Sequence, residues 1–255
     1  MKNLFIALLI MAANVANAQS FSDIQNKKGK KIFTESRFKI YAAYVAAESK
    51  LTPSYSGYTP NISIFKNEAG KGGTRVKYEN PTLGDLMWLA KKVYKVPQTV
   101  ISGQVQPFGN NPSKDHAHGS GFLGWAQWYY NVVGKDNLLF SAGVSGGDYI
   151  YASRVNGQYQ DPSGYYLAAG PALMASYVPA KWCWIDVYAN YDLSFLNGAK
   201  KTNNPNYSKP HFLTIGTDFN TSKQFFFGIR HNTMLDQGTS NDAASRLDIK
   251  LGIIL

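Results

Sequence analysis

The chain has 255 residues, of which only 16% are charged and 14% aromatic, including 17 Tyr, and it carries a formal charge of +10. Soluble domains average roughly 25% charged residues, and a mean hydropathy of −0.26, with no mature apolar run of ~20 residues, excludes a bundle of membrane-spanning helices. A transmembrane β-barrel and a secreted β-sandwich both fit this composition.

The chain opens as an export signal does. Met1-Lys2-Asn3 is basic, Leu4 to Met11 is apolar, and Ala16-Asn17-Ala18 gives a small-x-small cleavage pattern before Gln19. Residues 1–18 are therefore expected to be a cleaved signal peptide, and loss of Lys2 leaves +9 (10 − 1). The only cysteine is Cys183, so no internal disulfide is available and stability must come from the sheet. Lys27, Lys28, Lys30 and Lys31 read as a solvated tail, or more sharply as a patch for anionic lipid headgroups and lipopolysaccharide phosphates. An exported chain meets little nucleic acid, and none is expected as a partner.

The N-terminal segment, 19–96, is mixed. Arg37–Ala47 alternates like a strand, and Leu51–Gly73, rich in Pro, Gly, Ser and Lys, reads as loop. Over 82–95 the pattern predicts a short helix: Thr82 and Asp85 resemble a capping box, Leu86, Leu89, Ala90 and Val93 form a stripe, and Pro97 ends it. Reading 37–48 and 84–95 as strands instead gives two more strands.

From 97 onward a strand, a short turn, a strand and a longer polar loop recur. The short turns fall at Val133–Asn137, Val178–Ala180 and Asn220–Lys223; the longer loops fall at Gly109–Gly119, Arg154–Ser163, Asn197–Lys209 and Asp236–Ala244. Strands are expected at 98–108, 119–132, 138–153, 164–177, 181–195, 211–219, 224–235 and 245–255. Each alternates. In 182–195 the odd positions, Cys183 through Phe195, are greasy, whereas the even ones include Asp186, Asn190, Asp192 and Ser194. A soluble sheet buries such an apolar face; a membrane barrel turns it to lipid and its polar face to the lumen. The strict alternation of short and long connections favours the barrel, whose two rims differ in this way.

Through this alternation and loop rhythm, over about 97–255, the chain resembles small monomeric bacterial outer-membrane β-barrel proteins. The apolar last strand, Arg246 to Leu255, is similar to the C-terminal strands of that class, although they usually end in an aromatic residue. The resemblance implies an all-β, antiparallel, up-and-down transmembrane barrel of eight strands (ten on the alternative reading), monomeric, in the outer membrane, with outer-membrane lipids and lipopolysaccharide as partners. A lumen this narrow is filled by side chains. Asp186, Asp192, Asp218 and Asp248 would face it and pair there with Arg230, Arg246 and Lys250, since buried charges need partners. The role expected is structural, adhesive or that of a narrow channel.

Chemistry is sparse. Asp115-His116-Ala117-His118 offers two histidines and an acid but no third strong ligand, so no metal is expected, and no cofactor is expected either. Gly143-Val144-Ser145-Gly146-Gly147 spells GxSxG but sits inside a strand with no helix after it, and reads as strand packing. Arg230-His231-Asn232-Thr233 resembles the late-strand His-x-Ser pair of lipid A deacylase barrels, with Thr in place of Ser and Met234 in place of the following Asn. That resemblance implies an alternative activity, an outer-leaflet lipid hydrolase with His231 as base and Thr233 as nucleophile, Asp236 or Asp242 orienting the histidine. The competing reading is a girdle histidine at the headgroups.

Overall fold

The computed structural model describes residues 20, 21, 24, 33, 34, 37–49, 52–79, 116–155, 158–159, 164–197, 210–235 and 244–255. They form eleven strands: β1 (Arg37–Ser49), β2 (Thr52–Asn67), β3 (Thr74–Glu79), β4 (His116–Gly134), β5 (Leu138–Val155), β6 (Gln158–Tyr159), β7 (Gly164–Ala180), β8 (Cys183–Asn197), β9 (His211–Thr221), β10 (Phe225–Leu235) and β11 (Ala244–Ile254). All pairings are antiparallel. The order is β4-β3-β2-β1-β11-β10-β9-β8-β7-β5, and β4 pairs with β5, so ten strands close on themselves. β6 adds only a two-residue ladder to the end of β5. First and last barrel strands meet from Lys39↔Ile254 to Ser49↔Ala244. Closure removes the sheet's free edges except beside the short β3, which among the described residues pairs only with Ser63–Asn67 of β2 and Trp125–Tyr130 of β4.

Each strand folds as its parity dictates. In β10, Phe225, Phe227, Ile229 and His231 are exposed, and Phe226, Gly228 and Arg230 are buried. The same holds for β11, where Leu247, Ile249, Leu251 and Ile253 face outward and Arg246, Asp248 and Lys250 inward. The core of this protein is its lumen, and its outer wall is apolar.

The barrel has ten strands, not eight. The two additional strands of the sequence reading were 37–48 and 84–95; the first corresponds to β1, whereas 84–95, like the expected strand 98–108 and the expected helix 82–95, lies outside the described residues. The ring gains instead β2 and β3, in and after the stretch expected to be loop. Polar content there hides a period of two: Asn61, Ser63, Phe65 and Asn67 are buried, and Ile62 and Ile64 are only part-buried between them. Pro53 and Pro60 are tolerated because, among the described residues, β2 pairs there with β1 alone, while β3 pairs only with Ser63–Asn67. Proline's missing N–H breaks no ladder on an unpaired side.

One rim carries the connections 68–73, 135–137, 181–182 and 222–224, together with both ends of the barrel-forming chain; this is the turn rim. At the opposite rim β1, β3, β5, β8 and β10 end and β2, β4, β7, β9 and β11 begin; this is the loop rim.

Candidate functional site

The lumen is where the charged groups gather. Strands β8 and β9 place Asp186 directly opposite Asp218, both inward. Like charges at opposed positions repel, and cations from across the barrel offset them. Asp218 Oδ2 receives Lys39 Nζ of β1 at 3.3 Å and Lys77 Nζ of β3 at 3.5 Å, and Lys250 Nζ of β11 lies 2.5 Å from Oδ1. Asp186 Oδ1 accepts from Arg75 Nη2 at 3.0 Å and from the Ser176 hydroxyl; its Oδ2 accepts from Trp184 Nε1 at 3.0 Å and Asn220 Nδ2 at 3.1 Å. Arg75 also donates to Asn67 Oδ1 at 3.0 Å and to Ser176 Oγ at 2.6 Å.

Nearer the loop rim stands a second pair of systems. Arg230 and Asp248 are register partners on β10 and β11. Arg230 donates to Asp248 through both Nε, at 2.9 Å, and Nη2; Arg246 Nε donates to the other carboxylate oxygen at 2.5 Å. Asp192 is fully buried, and its hydrogen bonds come from the hydroxyls of Ser145 and Tyr149 and from Asn190 Nδ2 at 2.9 Å. Around it pack Trp125, Tyr149, Tyr166, Tyr188, Phe212 and Met234, with Tyr149 and Phe212 stacked at 4.0 Å. Ser145 therefore faces the lumen as a hydrogen-bond donor to Asp192.

Sequence reasoning missed three of the lumen cations, Lys39, Arg75 and Lys77, all buried. The signal for them was the same period of two, obscured on β2 and β3 by the prolines and glycine of the preceding stretch. It also missed the inner end of the N-terminal segment. Phe21, Ile24 and Phe33 are at most 1% exposed and join Phe65, Leu139, Val178, Trp184, Phe226 and Ile254 in one cluster at the turn rim. Phe21 N–H donates to the Asp136 carbonyl at 2.9 Å, and Phe33 packs edge-on against Trp184 with Arg75 over its ring at 5.4 Å. These three side chains thus plug that mouth of the barrel. The lysine run 27–31 lies outside the described residues.

On the outer wall, His231 and Thr233 project from β10 toward the loop rim, and Thr233 Oγ1 lies 3.3 Å from His231 Nδ1. Among the described residues no carboxylate bonds His231; Asp236 and Asp242 lie outside them. One strand over, Tyr191 and His211 share a hydrogen bond through His211 Nδ1. Residue 115 and the side chains of His116 and His118 are outside the described residues, and among the described ones no cluster of metal-ligating side chains occurs.

No protein-family profile and no curated relative matches the sequence. Among solved structures, Ail, the attachment invasion locus protein of Yersinia pestis, crystallised with the heparin analogue sucrose octasulfate, aligns over 86% of this chain and 97% of its own, at 8% identity and a TM-score of 0.27. That score is too low for fold or function to pass from one to the other.

Proposed function

We propose that this chain is a bacterial outer-membrane β-barrel with a filled, plugged interior, and that its role is structural or adhesive, exercised at the loop rim. The inside-out wall carries the reading. Phe38, Trp128, Val144, Leu173, Val187, Phe195, Ile215, Phe225 and Leu251 are each between 46% and 65% exposed, on eight of the ten barrel strands. Water would not tolerate so continuous an apolar surface, whereas lipid requires one, and closed barrels satisfy every backbone group inside it. Tyr130 and Trp182, exposed near the turn rim, suit an interfacial girdle. The packed lumen and its plug favour a structural or adhesive role over a channel. The full chain expressed with its leader should fractionate with the outer membrane and migrate faster on gels before heating than after. Recovery as a soluble periplasmic or secreted protein would refute the proposal. Ile249→Arg, on the outer wall at the middle of β11, is expected to cost about 2–4 kcal/mol in a bilayer, although Lys250 is accommodated beside it.

A second reading, an ester hydrolase acting on outer-leaflet lipid, has one observation in its favour: the Thr233–His231 contact on the exposed wall. A histidine beside a hydroxyl is the minimum for base-assisted attack. The lipid A mass spectrum of expressing cells should then lose an acyl chain with the parent and not with His231→Ala at matched membrane level. Identical spectra would remove this reading.

A further inference from the structure

We infer that the lumen holds one small monovalent anion, of halide size, between Lys39, Arg75 and Tyr129. A cavity of about 20 Å³ lies at the boundary between the turn-rim and loop-rim clusters, room for a single water-sized occupant. It is lined by Lys39, Arg75, Lys77 and Tyr129 on the donor side and by Asp186 and Asp218 on the acceptor side, with Phe65 and Met174 closing it.

The hydrogen-bond inventory of that wall is unbalanced. An ammonium has three N–H groups and a guanidinium five. Lys39 uses one, on Asp218 Oδ2, an oxygen it shares with Lys77; the rings of Phe65 and Phe226 lie 5.3 Å and 4.5 Å from its Nζ. Arg75 uses three, on Asn67, Ser176 and Asp186. Both carboxylates are already engaged, Asp218 by three lysines and Asp186 by four donors. Tyr129, 3% exposed, supplies an independent pointer: its hydroxyl is buried without a hydrogen-bond partner. A buried hydroxyl left unpaired is costly. An occupant that only accepts hydrogen bonds and carries one negative charge satisfies the spare N–H groups and the phenol together. Three cations against two carboxylates leave the lining with a net charge of +1 (3 − 2), which disfavours a cation, and a polyatomic anion such as sulfate is too large for the space.

Bromide is the probe. The purified full chain in detergent is dialysed against sodium bromide or sodium gluconate at equal ionic strength, and retained bromide is counted by elemental mass spectrometry. One bromide per barrel is expected for the parent, with roughly tenfold weaker retention in Tyr129→Phe, the scale of one lost hydrogen bond. Thermal unfolding separates the ion from a structural water. If the hydroxyl donates to the anion, Tyr129→Phe lowers the midpoint in bromide and leaves it unchanged or raised in gluconate. Absence of retained bromide, or the same midpoint shift of Tyr129→Phe in both salts, overturns the inference and assigns the cavity to water.

Discussion

Asp218 and Asp192 are the same residue type on neighbouring strands, both turned into the same lumen, and they are held in opposite ways. Asp218 is gripped by charge: three lysines from three strands converge on it. Asp192 is gripped by neutral donors, two hydroxyls and an amide, inside a ring of aromatic side chains. The turn-rim half of the lumen is therefore an ionic lock between β1, β3, β9 and β11, which include the first and last strands of the ring. The loop-rim half holds the hydrogen-bonded aromatic pack around Asp192 beside a local ion cluster, Arg230–Asp248–Arg246, confined to the adjacent strands β10 and β11. A buried carboxylate can be satisfied either way, but only the first way couples strands distant in sequence through charge.

Removing the charge should sharpen this contrast. Asp218→Ala leaves three buried lysines without their shared partner and is expected to cost about 3–5 kcal/mol, the range for breaking a buried ion pair. Asp192→Asn keeps the shape and an acceptor oxygen for Ser145 or Tyr149; it should cost about 1.5–3 kcal/mol, the scale of hydrogen bonds to a charged group. Urea titration of the heat-modifiable folded form, with both variants in one detergent, measures the two losses. Equal losses would mean that the lysines contribute no more to holding the ring than the hydroxyls do.

Crowding at the lock offers a gentler break. Gly228 on β10 faces Asp218 across the register, and a methyl there would collide with Asp218 Oδ1 and approach Lys250 Cε to 2.7 Å. Gly228→Ala is expected to cost about 1–3 kcal/mol through overpacking. Combined with Asp218→Ala it should cost less than the sum, because the atom it strikes is gone.

The seven strands from β4 to β11, β6 apart, were legible because their outward positions are mostly apolar and alternate with polar or small inward ones, so the period of two stands out along each strand. Their boundaries moved little; β7 runs on to Ala180, past the turn expected at Val178–Ala180. β2 was not legible. Its proline and glycine content mimics a loop, and its inward side chains, Asn61, Ser63 and Asn67, are as polar as loop residues. Their meaning depends on the partner strands, which local pattern does not contain. The plug was hidden for a different reason. Phe21, Ile24 and Phe33 follow no strand or helix period, and the lysines between them suggested a tail. Asp186, Asp218 and Lys250 could be assigned to one face by parity, but Lys39 and Lys77 reach Asp218 only because the ring closes.

The smallest expected effect lies outside the lumen, in the 68–73 turn that joins β2 to β3 and so holds Arg75 and Lys77 in place. Gly70 and Gly72 take φ values of 87° and 85° there, a region that favours glycine. Asn131 Nδ2 ties the turn down through the carbonyls of Glu68 and Gly70 at 2.8 and 2.9 Å. Glu68 Oε2 accepts from both the backbone N–H and the hydroxyl of Thr74, each at 2.9 Å. Those two donors, the backbone one foremost, hold the Glu68 carboxyl below its ordinary value of 4.5. The folded turn therefore binds this proton less readily than the unfolded chain does. Its contribution is present in full above that ordinary value and is lost as the pH falls through the lowered, folded one. The carboxyl is solvent-exposed, so the effect is local. Amide hydrogen exchange at Thr74 should accelerate, relative to the intrinsic rate, as pH drops below about 4.5, and Glu68→Gln should flatten that dependence. Exchange at Arg75, one residue further and bonded to Asp186, should stay slow throughout, which would show that the lumen lock does not need the turn's carboxylate. An Arg75 amide that loosened in step with Thr74 would instead make the turn part of the lock.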